Sequence, residues 1–297
     1  SSTINCLFML AIADSLVLVT YGFQLIPLGL RKILFGWFNG YNYNNVTMVY
    51  LSEVNRTFGQ VSCFLTMVVT FQRYVSVCLP HRAKALCTVR IVNIMFVVSY
   101  LVSIVFFLPN FLTYYIERDE FNRYTVMSRP IVFNATYQIL YSSIATFLIT
   151  YVIPILTLTF MSVKILRAMR QQSSIMQETQ ERSRARRELT ISSIAIVGLF
   201  IICQSFSSTR KVLMWMYPYF VAAKCNGELQ FFVFVPHVSM VINSASNFVI
   251  YVIFATGFRN KVKRLFRGRN KVEAMTTTAL GGDTLQSSNN HTQTDKY

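Results

Sequence analysis

Six apolar blocks, each long enough to cross a bilayer as a helix, constrain this chain more than any other feature. They fall at 4–27, 46–78, 91–112, 137–168, 189–216 and 229–255. A hydrocarbon core about 30 Å thick needs roughly 20 apolar residues in a helix. In lipid every backbone N–H and C=O must be satisfied internally, which leaves helices or a closed barrel. The strict alternation of a barrel strand is absent from these blocks. The expected fold is therefore all-α, a transmembrane helical bundle. Composition agrees, with 53% hydrophobic and only 13% charged residues, about half the charged share of a soluble domain. The blocks at 46–78 and 137–168 exceed the minimum, which predicts tilt or projection beyond the lipid. Pro109, Pro154 and Pro236 fall inside blocks, where neighbouring helices can satisfy the freed carbonyls. No internal repeat points to a common transporter architecture.

A net charge of +16 raises nucleic acid as a partner, but the cations lie in clusters between the apolar blocks and after the last one. One set of connections carries Arg82, Lys84 and Arg90, then Lys164 through Arg187, then Arg259 through Lys271. The opposite set holds Glu53, Glu117, Asp119, Glu120 and Glu228 and fewer cations. The basic set is expected to be cytosolic, which makes the chain a multi-pass membrane protein with a cytosolic C-terminus. Residue 1 is then expected at the cytosolic mouth of a span, and no signal peptide is apparent. The bundle is read as 1–270. Within it, 257–269 alternates Phe258, Val262, Leu265 and Phe266 with cations, the pattern of a short amphipathic helix on an anionic membrane face. Residues 271–297 are rich in Thr, Ser, Asn and Gln and read as a disordered cytosolic tail, phosphorylatable or simply solvated. Asn45 and Asn134 open Asn-x-Thr sequons on the outer side and are candidate glycosylation sites. The match at Asn55 is expected inside a helix, and that at Asn290 on the cytosolic side.

Polar residues inside the blocks carry the functional signal. A carboxylate at Asp14, in mid-span, needs a partner, a proton or an ion. Ser62 and Arg73 are eleven residues apart, about three helical turns and nearly one face. Asn243 and Asn247 lie one turn apart on the last block.

Arg73-Tyr74, with Pro80 seven residues after the arginine, resembles the inner end of the third helix in rhodopsin-like (class A) G-protein-coupled receptors. That family carries Asp/Glu-Arg-Tyr, and here the acid is replaced by Gln72. Asn247-Phe248-Val249-Ile250-Tyr251 resembles its Asn-Pro-x-x-Tyr motif, with Phe248 in place of proline. Asp14 resembles the family's second-helix aspartate. Together with Ser62, Asn243 and Ser244 it matches the positions that hold a sodium ion in many members; the alternative is a hydrogen-bonded network without an ion. No other cofactor is implied. On this resemblance the fold is of the seven-helix receptor type with six spans present and the first helix missing. Arg73 through Pro80, His81 through Thr88, and Ile242 through Tyr251 look like invertebrate FMRFamide-type neuropeptide receptors.

The resemblance implies a plasma-membrane receptor for an extracellular peptide that signals to a heterotrimeric G protein, with arrestin as a further partner through the tail. It assigns Arg73, Tyr74, Asn247 and Tyr251 to the activation switch. Ligand candidates are Glu53, Asn55, Gln60, Thr209, Arg210, Phe232 and His237. The outer acids would pair with a peptide arginine, and Tyr114, Tyr115, Tyr217 and Phe231 would stack on its ring. The alternative for these residues is solvated loop acids and an interfacial aromatic belt. His237 has no Cys or acid at metal-ligand spacing. No nucleophile–base pair or phosphate loop points to an enzyme.

Several positions depart from the family pattern. The usual disulfide is absent, since Met48 occupies one position and 113–136 contains no cysteine; no disulfide is expected. Cys203-Gln204-Ser205-Phe206 replaces Cys-Trp-x-Pro, Ser99 replaces a tryptophan, and Ser162 replaces a tyrosine. Gln72 and Arg186 do not neutralise Arg73, which predicts weaker restraint of the inactive state, or else a receptor that no longer couples. Two other functions fit less of the pattern: a chemosensory seven-helix receptor for a small molecule, and a transporter or channel fragment, for which Asp14 is the one deep charge.

Overall fold

A computed structural model describes residues 2–24, 28–172, 180–216 and 231–254. Helix α1 spans Ser2–Gln24 and α2 spans Leu28–Val46. A π-helical turn, Thr47–Leu51, joins α2 to α3, Ser52–Cys78. Short α4, Pro80–Leu86, precedes α5, Val89–Phe107. Strands β1, Tyr114–Arg118, and β2, Tyr124–Ser128, form an antiparallel hairpin. Two π-helical stretches, Tyr137–Ala145 and Leu148–Val152, lead into α6, Ile153–Gln172. The last helices are α7, Gln180–Met216, and α8, Phe231–Phe254.

The chain is a helical transmembrane bundle. Among the described residues five helical segments are long and apolar enough to cross a membrane: Asn5–Gln24, Asn39–Cys78, Val89–Leu112, Tyr137–Gln171 and Thr190–Thr209. Helix α8, with 24 residues, is about 36 Å long and accounts for the sixth expected block. Helix α3 is the axis of the bundle. Its Val61, Leu65 and Val69 pack with Cys6, Leu7, Leu10 and Ala13 of α1, Val92 of α5 and Ile196 of α7. Its Cys63 packs with Leu158 and Met161 of α6 and Val197 and Phe200 of α7. The outward faces stay apolar: Val97, Leu101 and Val105 on α5 and Leu156 on α6 are all exposed. An apolar surface of that extent is stable only in lipid.

Three features add to the sequence expectations. First, the helical bundle carries a β-hairpin, which packs on α2 at the end opposite the basic connections. Asn42 Oδ1 accepts from the Tyr124 amide at 2.8 Å and Asn45 Nδ2 donates to the Tyr124 carbonyl at 2.5 Å, so α2 pins β2. Asn122, with φ 60°, makes the tight reversal, a left-handed conformation that asparagine tolerates. Second, residues 28–45, outside the expected blocks, are helical. Their pattern is weakly amphipathic, and a break at Gly36 (φ 72°), open only to glycine at little cost, disguises the helix. Third, Pro109 lies inside an apolar span as expected, Val89–Leu112, but past the end of its α-helix. Helix α5 ends at Phe107, and the proline opens a 3-10 turn, Leu108–Leu112.

At the basic end the chain behaves as its proline requires. Helix α3 stops at Cys78, Leu79 turns away with φ −132°, and Pro80 sits in the first turn of α4, where its missing N–H is not needed. The amphipathic segment 257–269 and the tail 271–297 lie outside the described residues, as do Cys225, Glu228 and Tyr217.

Candidate functional site

Asp14 of α1 is 2% exposed and stands at the meeting point of three helices. Ser62 of α3 donates to Asp14 Oδ1 at 2.5 Å, and Asn247 Nδ2 of α8 donates to Asp14 Oδ2 at 3.0 Å. Ser244 lies beside the same carboxylate, its hydroxyl outside normal hydrogen-bond geometry. Asn243, one turn before Asn247, is 4% exposed. The oxygens Asn243 Oδ1, Ser244 Oγ and Asn247 Oδ1 are buried and lack a hydrogen-bond partner among the described residues. Buried polar atoms are normally satisfied by protein, water or an ion. A carboxylate with hydroxyl and amide oxygens suits a small hard cation, which takes oxygen ligands. Among the described residues there is no cluster of three His, Cys, Asp or Glu side chains.

Arg73 and Tyr74 lie toward the basic end of α3. Arg73 is 6% exposed and within electrostatic reach of the Cys6 thiol on α1. Tyr74 packs against the α3–α6–α7 core. Tyr251 lies in α8, but its side chain is outside the described set, as are those of Arg186, Arg210 and Phe232.

The remaining ligand candidates with described side chains each make a contact within the chain. Glu53 is 8% exposed and ion-paired to Arg56 at 3.0 Å. Asn55 faces the opposite side and donates to Gln24 Oε1 of α1. Gln60 Nε2 donates to the Ile149 carbonyl at 3.3 Å. Thr209 is exposed and bonds its own helix at Ser205. The His237 ring lies 5.9 Å from that of Tyr21, joining α8 to α1. Asp119 is paired to Arg123 at 3.1 Å, and Arg129 covers the Tyr115 ring. Two outer acids are therefore already committed within the chain. Asn134 is exposed, whereas the Asn45 amide nitrogen is held by Tyr124. The five described cysteines, Cys6, Cys63, Cys78, Cys87 and Cys203, are free thiols.

Sequence reading missed one polar contact of consequence. Pro154 has no N–H, so the Thr150 carbonyl lacks its α-helical donor and the Ile149 carbonyl its π-helical one. Gln204 Nε2 of α7 donates to Thr150 O at 2.9 Å, and Gln60 of α3 takes Ile149 O. Two amides from neighbouring helices thus satisfy the carbonyls that one proline frees. The signal was present in the sequence, as Gln204 beside Cys203, but the π register that makes it useful was not.

Comparison with known proteins agrees with this geometry. The family described as 7 transmembrane receptor (rhodopsin family) matches residues 2–251. The FMRFamide receptor of Drosophila melanogaster is 26% identical over 284 residues, which cover 89% of this chain and 47% of that protein. The chain thus spans about half the length of the curated relative it matches. With its Arg73-Tyr74 helix end, its buried Asp14–Ser62–Asn247 contact and a family match over most of its length, the chain belongs to the rhodopsin family of seven-transmembrane receptors.

Proposed function

We propose that this protein is a plasma-membrane receptor for an extracellular FMRFamide-like neuropeptide, and that it passes ligand binding to a heterotrimeric G protein at its basic, cytosolic face. The observation that carries this reading is the buried polar contact joining α1, α3 and α8 at Asp14, in a chain similar to an FMRFamide receptor. A bistable polar core between helices is the kind of element that a ligand at one end can bias and a partner at the other can read. Arg73, buried in this structure, and Tyr74 would meet the G protein once the helices move apart, and Asn247 and Tyr251 belong to the helix that would move against them. Arrestin is a further partner of the cytosolic tail.

The test is the full-length receptor expressed in cells with a G-protein dissociation readout. Amidated peptides ending in Arg-Phe are expected to give a saturable response. A response to small odorant-like molecules alone would favour a chemosensory receptor, and substrate-dependent current would favour a transporter or channel.

The oxygens around Asp14 also fit a sodium ion. Asp14, Ser62, Asn243 and Ser244 would hold it, and its charge would offset that of the buried carboxylate. Sodium is then expected to raise the receptor's melting temperature relative to choline at equal ionic strength, and Asp14→Asn to remove that difference. An unchanged difference in Asp14→Asn would leave the polar network without an ion.

A further inference from the structure

A cleft of about 380 Å³ opens between α3, α5 and α6, within the roughly 300–1,000 Å³ typical of ligand sites. Phe64, Met67 and Phe71 of α3, Met95 and Ser99 of α5, and Met161 of α6 form its walls. It opens toward lipid, since Val98 and Val102 at its rim are exposed apolar residues of a membrane span. The hydroxyls on its walls are already bonded. Ser99 Oγ donates to Met95 O at 2.7 Å and Thr157 Oγ1 to Ile153 O at 2.7 Å. Nothing inside the cleft is left to donate to a polar group, so its occupant there is hydrocarbon.

The depth and the mouth identify which hydrocarbon. Phe71 and Phe64 are seven and fourteen residues from Cys78, the end of α3, or about 10 and 21 Å along the axis. With a core about 30 Å thick, the cleft runs from the leaflet at the basic end to about the bilayer midplane, the depth that the end of an acyl chain from that leaflet reaches. Thr157, Met161 and Lys164 recur at i, i+4 and i+7, one stripe of α6. Lys164 thus continues the cleft wall one turn toward the membrane surface. It is exposed, within electrostatic reach of Cys78, with its ammonium 5.7 Å from the Phe160 ring centroid. Arg167, also exposed, follows one turn later.

We propose that this cleft binds one acyl chain of an anionic phospholipid, with the headgroup phosphate held by Lys164 and Arg167. The chain fills the space that the small Ser99 side chain leaves between the helices, and the two cations select the headgroup. A sterol would bring a hydroxyl for which the walls have no partner, and a zwitterionic lipid would gain less from the cations. The proposal requires the membrane-spanning bundle and is independent of which agonist the receptor binds.

The test uses the full-length receptor in phosphatidylcholine nanodiscs carrying a small fraction of lipid with a photoactivatable diazirine near the end of one acyl chain. The labelled lipid is either phosphatidylserine or phosphatidylcholine, and a diazirine sterol is run in parallel. Cross-linked peptides are mapped by mass spectrometry. Adducts are expected on 64–71, 95–102 and 157–161, with phosphatidylserine preferred about fivefold or more over phosphatidylcholine, as one to two surface cations would give. Ser99→Trp should fill the cleft and remove these adducts. Lys164→Gln combined with Arg167→Gln should abolish the headgroup preference, and because both positions are exposed this variant decides the matter even if Ser99→Trp does not fold. Equal labelling by the two phospholipids, adducts that persist in Ser99→Trp, or selective capture of the sterol would each overturn the proposal.

Discussion

Gln72 is 3% exposed, immediately before Arg73, and neither atom of its amide has a hydrogen-bond partner among the described residues. An unsatisfied buried polar group costs roughly 1–3 kcal/mol. A carboxylate at this position would place an anion beside a buried guanidinium and favour the inactive arrangement. Gln72→Glu is expected to lower basal G-protein signalling about 5- to 150-fold, the range of a 1–3 kcal/mol coupling. Basal activity equal to wild type in a concentration-matched assay would remove this account of Gln72. Asp14 is the other residue where one change has large effects. Asp14→Ala orphans the Ser62 hydroxyl and the Asn247 amide, at about 1–3 kcal/mol each. A clear fall in melting temperature is expected, with Asp14→Asn intermediate because it keeps the side chain's volume and one acceptor oxygen.

At the scale of elements, the span that leads into α6, Tyr137–Gln171, is the one whose shape depends on its neighbours. Pro154 frees two carbonyls, and α3 and α7 close them with Gln60 and Gln204. Helix α7 lacks a proline of its own between Gln180 and Met216, and this amide contact adds a polar tie to the apolar packing of Val197 and Phe200 on Leu158 and Met161 of α6. Gln204→Leu is expected to cost about 1–3 kcal/mol, to raise basal signalling and to speed hydrogen exchange at 146–153. The two sites should also be coupled. Pro154→Ala restores the N–H, after which the Gln204 amide has lost its acceptor. The double variant should therefore be less destabilised than the sum of the singles, by 0.5 kcal/mol or more. Additive effects would mean that the proline and the glutamine act separately.

For the whole molecule, the arrangement of charge is the controlling quantity. The cationic stretches 79–90, 164–172 and 180–187 lie at one end of the bundle, and the hairpin with Glu117, Asp119 and Glu120 lies at the other. The basic end should face the cytosol. A C-terminal tag on the full-length receptor should be reached by antibody only after permeabilisation, and Asn134→Gln should remove a glycosidase-sensitive gel shift. Antibody access in intact cells would invert the topology and with it the assignment of the G-protein face.

The apolar blocks, the charge asymmetry and the Arg73–Pro80 spacing were legible in the sequence because each depends on residues close together in the chain. Membrane length and the end of a helix at a proline are local properties, and so is the spacing of Asn243 and Asn247 one turn apart. What only the tertiary structure decided depends on residues far apart. The carboxylate of Asp14 finds Asn247, 233 residues away. The amide of Gln204 finds a carbonyl 54 residues before it. Asn42 and Asn45 turn an outer loop into a pinned hairpin about 80 residues on. The same three-dimensional packing joined Asn55 of α3 to Gln24 of α1 and left a cleft behind Ser99. Periodicity gives which face a residue is on, but the identity of its partner is fixed only when the helices pack.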